Sequence, residues 1–166
     1  MGKRSNFDRV AKDFYPTPWA VAATLAPHLP SHTVFDEPCA GKRDLIKHLE
    51  SFGHECARAS DITDQHSVDA NSIKASAAQM FITNPPWTWA ALSPLINHLS
   101  SILPTWLLLS ADTMHNKRMA PHMDRCSKVV SVGRVKWFNN TAGMENAAWY
   151  QFVPFRCNTH FIARVQ

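Results

Sequence analysis

Nothing in these 166 residues comes near the roughly 20 consecutive apolar residues that a membrane-spanning helix needs. The opening stretch, MGKRSNFDRV, is basic but has no apolar run behind it, so a secretory signal is not expected. The four cysteines, Cys39, Cys56, Cys126 and Cys157, are scattered and form no C-x-x-C pair. That spacing argues against a disulfide or zinc framework and for reduced thiols in a cytoplasm. The nine histidines show neither H-x-x-H nor H-E-x-x-H spacing, so no metal site is expected. G-x-G-x-x-G, internal repeats, low-complexity tracts and a dividing linker are all missing. The expectation is one soluble intracellular domain over residues 1–166.

What is present suits a globular domain. Hydrophobic residues make up 45% of the chain, and a chain of this length buries roughly 70% of its extended surface without staples. Lys and Arg outnumber Asp and Glu by 17 to 13. Such a balance tolerates a polyanionic partner, although many proteins with this charge never touch nucleic acid.

Short apolar runs alternate with helical stretches, the pattern of a parallel sheet covered on both faces. Helices are expected over 18–29, where Pro18 suits a first turn, over 43–52, closed by Gly53, and over 89–102 despite Pro94. Strands are expected at 33–36, 54–60, 80–83, 106–110, 129–138 and 147–153, with a further edge strand at 159–165. The run W-L-L-L-S at 106–110 is apolar on both faces, as a central parallel strand requires. A closing strand pair completes an open α/β sheet, whose ligands bind at the carboxyl ends of the strands. Three loops then share one rim, those after Asp36, Ser60 and Thr83.

The first reads D-E-P-C-A-G-K-R-D-L over 36–45. Ala40 and Gly41 allow close approach of a ligand to the backbone, and the following helix start offers free N–H groups. A plain strand-to-helix turn fits the same residues. The second, A-S-D-I-T-D, sets Asp61 where a carboxylate can hold a ribose diol, with Asp64 and Asp69 beyond it. An acid at a strand end also serves as turn former or cap. The third, N-P-P-W over 84–87, has the most particular chemistry. Pro85 and Pro86 fix the turn and have no N–H. Asn84 adds a side-chain carbonyl, and Trp87 a flat face. Two acceptors beside an aromatic ring suit a planar group with an exocyclic NH2. The competing reading is a stiff turn with a buried tryptophan.

Here the sequence resembles the S-adenosylmethionine-dependent DNA methyltransferases that modify amino groups, the small phage-type adenine-N6 enzymes in particular. D-F-Y-P-T-P-W (13–19) looks like their segment beside the cofactor's methionine end. D-E-P-C-A-G-K-R-D-L is similar to their E-P-x-A-G-x-G-x-L cofactor loop, Asp61 falls at their ribose-binding acid, and N-P-P-W matches their catalytic motif. N-A-A-W-Y-Q-F (146–152) looks like their late strand. Motif order and spacing agree as well. Two departures stand out: Arg43 replaces the second glycine of the loop, and no 80–150-residue insertion of the target-recognition kind is present.

The resemblance implies a Rossmann-like class I methyltransferase fold, with a mostly parallel sheet, a terminal antiparallel strand pair and helices on both faces. It implies S-adenosylmethionine held by Tyr15, Thr17, Asp36, Glu37, Pro38, Ala40, Gly41, Asp61 and Asn84. Catalysis would fall to Asn84, Pro85, Pro86 and Trp87, with a flipped-out adenine of duplex or single-stranded DNA stacked on Trp87. Lys117 and Arg118 are candidate phosphate contacts, with Lys3, Arg4, Arg125, Lys128, Arg134 and Lys136 behind them; a solvated basic loop accounts for 112–128 equally. Trp137 and Phe138 either touch the target or cap the core, whereas Trp149 and Tyr150 read as packing residues. Methylation of RNA, cytosine-N4 or protein glutamine is the rival within enzymes. A non-catalytic phage protein that binds the cofactor or a host protein is the rival outside them. Monomer and homodimer both remain open, and the compartment expected is a cytoplasm, bacterial if the gene is a phage's.

Overall fold

The computed structural model describes residues 15–63, 69–137 and 145–164. Lys3, Arg4, Asp13, Phe14, Asp64, Phe138, the turn residues 139–144 and Val165 lie outside these, and the expectations placed on them are not addressed.

Helix α1 (Trp19–Leu25) starts after Pro18, whose extended backbone forms the cap, and runs into one 3-10 turn at Ala26–His28. Strand β1 (Val34–Glu37) leads through the D-E-P-C-A-G loop to α2 (Asp44–Ser51) and then to β2 (Glu55–Ala59). Gly53, at φ +87, ends α2 in a left-handed conformation. Its N–H reaches the Glu50 carbonyl at 2.9 Å and that of His54 reaches Leu49 at 3.2 Å, the paired bonds that satisfy a helix end. Next come β3 (Met80–Thr83), α3 (Trp89–Ile102) and β4 (Thr105–Ser110). Two 3-10 turns and the four-residue α4 (Ala120–Met123) lead to β5 (Cys126–Arg134), β6 (Asn146–Phe152) and the short β7 (His160–Ile162).

All seven strands join one sheet in the order β2-β1-β3-β4-β6-β5-β7. β6 alone is antiparallel to its neighbours, β4 and β5. β7 adds to the outer edge of β5 in parallel. The expected antiparallel pair is therefore present, but β6 is inserted inside the sheet and β5 keeps the direction of β4.

Strand periodicity assigns the two faces. Phe35, Met80, Ile82, Trp106, Leu108, Val130 and Trp149 pack with α1 and α2. Leu107, Leu109, Val129, Ala148, Tyr150 and Phe152 pack with Leu92 and Ile96 of α3. Trp106, Trp149, Tyr150 and Phe35 are fully buried, and each contributes on the order of 2–3 kcal/mol by leaving water. Trp149 and Tyr150 are thus packing residues, as their place in a strand suggests. The Trp149 indole also donates to the Val21 carbonyl at 3.0 Å, tying α1 to the sheet.

The chain leaves β1 towards β2 on one side and resumes at β3 on the other. α2 and α3 consequently cover opposite faces. The carboxyl ends of β1 and β3 flank a topological switch point, where a crevice opens without any special loop. Among the described residues no helix is long and apolar enough to cross a membrane.

Arg43 holds φ +63 and ψ +24 just before α2. Only glycine enters this region freely; for other residues it costs roughly 1–2 kcal/mol. Arg43→Gly should therefore raise stability by about 1 kcal/mol, read as an increased midpoint in urea unfolding. An unchanged or lower midpoint would mean that the guanidinium contributes as much as the backbone strain removes.

Candidate functional site

The crevice is a cleft of about 380 Å³, within the roughly 300–1,000 Å³ usual for small-molecule sites. Tyr15 and Thr17 of the segment before α1, Glu37, Pro38, Ala40 and Gly41 after β1, Asp61 after β2, and Asn84 and Pro86 after β3 all line it. These segments are distant in sequence, and the switch point brings them together.

Asn84 is fixed by the segment before α1. Its Nδ2 donates to the Tyr15 carbonyl at 3.0 Å and to Thr17 Oγ1 at 3.2 Å. A main-chain carbonyl can only accept, so this geometry sets which end of the amide faces Tyr15. Both amide protons are spent there. Among the described residues nothing donates to Asn84 Oδ1, and no hydrogen bond engages the Pro85 carbonyl. The loop thus presents acceptors without donors.

Asp61, buried at the end of β2, organises the first loop. Its Oδ2 accepts from the Gly41 N–H at 2.9 Å, and its Oδ1 accepts from the Thr63 N–H and hydroxyl at 2.9 and 2.6 Å. The turn-forming and lining roles thus coexist in one side chain. Glu37 is 1% exposed, and burial pushes its carboxyl up to about 8 despite the hydrogen bond from the Cys39 N–H. The same burial drives the Cys39 thiol up to about 12, which makes it a poor nucleophile at neutral pH.

The raised Glu37 value has a consequence for stability. The folded chain keeps a proton that an unfolded glutamate loses near pH 4.5. Stability contributed by the neutral carboxyl is present below that pH and declines as pH rises towards 8. Glu37→Gln cannot ionise, so its melting temperature should match the wild type at pH 4.5 and exceed it at pH 8.5. Equal melting temperatures at both pH values would show that the ionised carboxylate is solvated in the cleft.

Several expected site residues lie elsewhere. Asp36 does not line the cleft. Neighbours on a strand point to opposite faces, so Asp36 turns away from Glu37 and is 1% exposed. Its Oδ2 accepts from Arg58 Nη2 at 2.6 Å and from the Ser76 hydroxyl at 2.7 Å. It forms a buried ion pair and is absent from the cleft lining. Pro85 is buried and shapes the turn without facing the cleft.

Trp87 also stands outside the cleft lining. Its Nε1 donates to the Leu108 carbonyl at 2.9 Å. Its half-buried ring meets Trp137 edge-on at 5.6 Å, and Trp137 in turn meets Tyr15 at 5.6 Å. Trp137 packs partly against the core. The three rings form a brace linking the segment before α1 to the loop after β3. Arg43 is exposed and lies in a shallow groove beside β2, away from the cleft.

Lys117 and Arg118 are exposed on the segment that leaves the rim at Ala111 and reaches the amino end of the sheet by Cys126. Arg125 and Lys128, expected on the rim, sit at that amino end, because β5 runs parallel to β4.

Ile62, Asn71 and Lys42 line the cleft without having been singled out. Ile62, 74% exposed directly after Asp61, had a signal in the sequence: an apolar side chain between turn-forming acids. Asn71 had none, since only the fold of the 69–72 turn, capped by Asp69 on the Asn71 N–H at 2.9 Å, brings it to the site.

No protein-family model matches the sequence, and no curated protein matches it either. Solved structures do match in shape. A Pyrococcus horikoshii protein, whose name provisionally makes it an RNA methyltransferase, aligns over 93% of this chain and 93% of its own, with a TM-score of 0.68 at 12% identity. A type I restriction-modification methyltransferase subunit from Streptococcus thermophilus covers 90% of this chain at TM-score 0.59 and 11% identity. A dimethyladenosine transferase from Plasmodium falciparum covers 85% at TM-score 0.57 and 17% identity. The chain spans 47% and 62% of the latter two. Its architecture is the Rossmann-like, mostly parallel α/β fold of the class I methyltransferases.

Proposed function

We propose that residues 1–166 form one catalytic unit that transfers a methyl group from S-adenosylmethionine to an exocyclic amino nitrogen, N6 of adenine in DNA. The observation that carries this reading is the orientation of Asn84, whose donors are consumed by Tyr15 and Thr17 while, among the described residues, nothing donates to its oxygen. The names of the neighbours add support, since they include a restriction-modification methyltransferase subunit and a dimethyladenosine transferase.

The lining fits the donor. Asp44, Asp61 and Asp69 bring three carboxylates against the single ammonium of Lys42, with the neutral Glu37 carboxyl beside them, a balance suited to a ligand that carries positive charge. Pro38, Ala40, Leu45 and Ile62 supply apolar wall. When bound, S-adenosylmethionine supplies an electrophilic methyl group on a sulfonium. Tyr15, Thr17, the Glu37–Gly41 loop and Asp61 would hold it.

The chain's own contribution is geometric. An exocyclic amine is a weak nucleophile because its lone pair is delocalised into the ring. Asn84 Oδ1, at the cleft, would accept one of its N–H bonds, favouring a pyramidal nitrogen whose lone pair faces the methyl. Such a preorganised acceptor acts by position and electrostatics. The amine's surplus proton leaves to solvent after transfer. The Tyr15–Trp137–Trp87 brace keeps the loop still, and the half-buried Trp87 ring, outside the cleft lining, would offer a face to a flipped base.

Incubation with tritiated S-adenosylmethionine and separate DNA, RNA and protein acceptors tests the reading. Label is expected in DNA and, after nucleoside digestion, in N6-methyladenine. Label in RNA alone would favour the activity named for the Pyrococcus neighbour, and label in no acceptor would leave a binding protein.

A further inference from the structure

The rim that carries the cleft has two halves. Its β2–β1–β3 half mixes charges: Asp44, Asp61 and Asp69 stand with Lys42, and Asp44 pairs with Lys47 at 3.8 Å. Its other half, over β4, β6, β5 and β7, is built differently. Ser110 ends β4 opposite Ala147 of β6, and Ala147 faces Gly133 of β5. Arg134 and Lys136 follow directly, both exposed. β7 pairs with β5 up to Val130↔Ile162, which carries the exposed Arg164 to the same level.

Gly133 explains where that arginine rests. A Cβ built there would lie 2.9 Å from Arg164 Nη1, so the guanidinium occupies space that a side chain at 133 would fill. Gly133 also holds φ +84 at a register shift in β5, a backbone state that favours glycine. Arg134, Lys136 and Arg164 take part in none of the ion pairs among the described residues. Asp112 and Glu145, acids on this half, are exposed. From β3, which ends at Thr83 just before Asn84, to β7 is four strand spacings, about 19 Å.

We infer that the carboxyl rim of β4–β7 is a phosphate track, on which Arg134, Lys136 and Arg164 hold the DNA backbone while a base enters the cleft beside Asn84. Two observations support the track: it adjoins the acceptor loop, and its three cations are exposed and, among the described residues, take part in none of the ion pairs. The inference rests on the proposed activity only for the choice of DNA. Cation-to-phosphate contacts themselves need no methyl donor.

The test is fluorescence anisotropy of a labelled DNA duplex with the full chain, without cofactor, over a series of salt concentrations. The wild type is compared with a triple variant, Arg134→Gln, Lys136→Gln, Arg164→Gln. A control of equal charge loss removes Arg125, Lys128 and Arg156, which lie at the opposite end of the sheet or on the loop beyond β6. Each lost phosphate contact lowers the slope of log affinity against log salt by about 0.9. The rim variant should therefore lose about 2–3 of that slope, and the control should keep the wild-type value. Equal effects of the two variants, an unchanged rim-variant slope, or no binding by the wild type would overturn the track. Dependence seen only with an RNA duplex would overturn the assignment to DNA. The two readings fail separately: a rim-dependent slope without methyl transfer sinks the activity alone, and methyl transfer without a rim-dependent slope sinks the track alone.

Discussion

Asn84→Ala is expected to lower methyl transfer by about 10²–10³-fold or more, the usual cost of losing a preorganised polar partner of the reacting group. Donor affinity should change far less, because most of the cleft is built by other segments: Tyr15–Thr17, Glu37–Gly41 and Asp61–Thr63. Some loss of stability is expected too. Removing the amide leaves the Tyr15 carbonyl and the Thr17 hydroxyl without this donor, at about 1–2 kcal/mol. Asn84→Asp separates the two roles of the side chain. Aspartate keeps an acceptor oxygen but has no NH2 for Tyr15, so carboxylate and carbonyl would repel. If acceptor character alone mattered, Asp would retain much of the activity. The geometry instead requires both ends of the amide, and Asp should fall near Ala. Single-turnover transfer and calorimetric titration of the donor, run on the same samples, separate rate from binding.

The second large effect concerns folding. Arg58→Met should cost about 3 kcal/mol, towards the lower end of the loss when one partner of a buried ion pair is removed. The lower end applies because the Arg58 side chain is 37% exposed while Asp36 is 1% exposed. Without the guanidinium, the Asp36 carboxylate keeps, among the described residues, only Ser76 as a donor, and its Oδ1 already has no partner among them. Combining Arg58→Met with Asp36→Asn should recover much of the loss, since the stranded charge is gone. Urea unfolding reads both. Donor binding should survive in the double variant, because neither residue lines the cleft. A double variant that folds well but no longer binds the donor would return Asp36 to the cofactor set.

That reassignment shows what sequence conveys and where it stops. β3 and α3 were legible to the residue: M-F-I-T is a continuous apolar run closed by Asn84 and two prolines, and 89–102 repeats apolar positions at helical spacing. β5 was placed three residues late, at 129–138. Its bulges near Cys126–Lys128 and Ser131–Gly133 break the two-residue period, and its ends are set by pairing with β6 and β7. The short turns and helix over 111–123 gave no periodic signal.

In the site, the three rim loops were visible because turn chemistry is local. The roles within them were less so. Adjacent Asp36 and Glu37 read as one acidic pair, although strand alternation alone separates them onto opposite faces. The partner of Asp36 lies 22 residues away, and the Tyr15 carbonyl that accepts from Asn84 lies 69 residues away. No local pattern encodes contacts of that separation. Trp87 illustrates the same limit, since its indole hydrogen bond to Leu108 exists only once β3 and β4 are paired.

The most direct measurement is a crystal structure of the chain with S-adenosylhomocysteine, the demethylated donor. The sulfur is expected in the cleft between the Glu37–Gly41 loop and Asn84, with Asn84 Oδ1 still unpartnered and facing the space where an amine would sit. The ligand in the groove beside Arg43 and β2, or an Asn84 amide turned so that its NH2 faces the cleft, would contradict the assignment of this pocket.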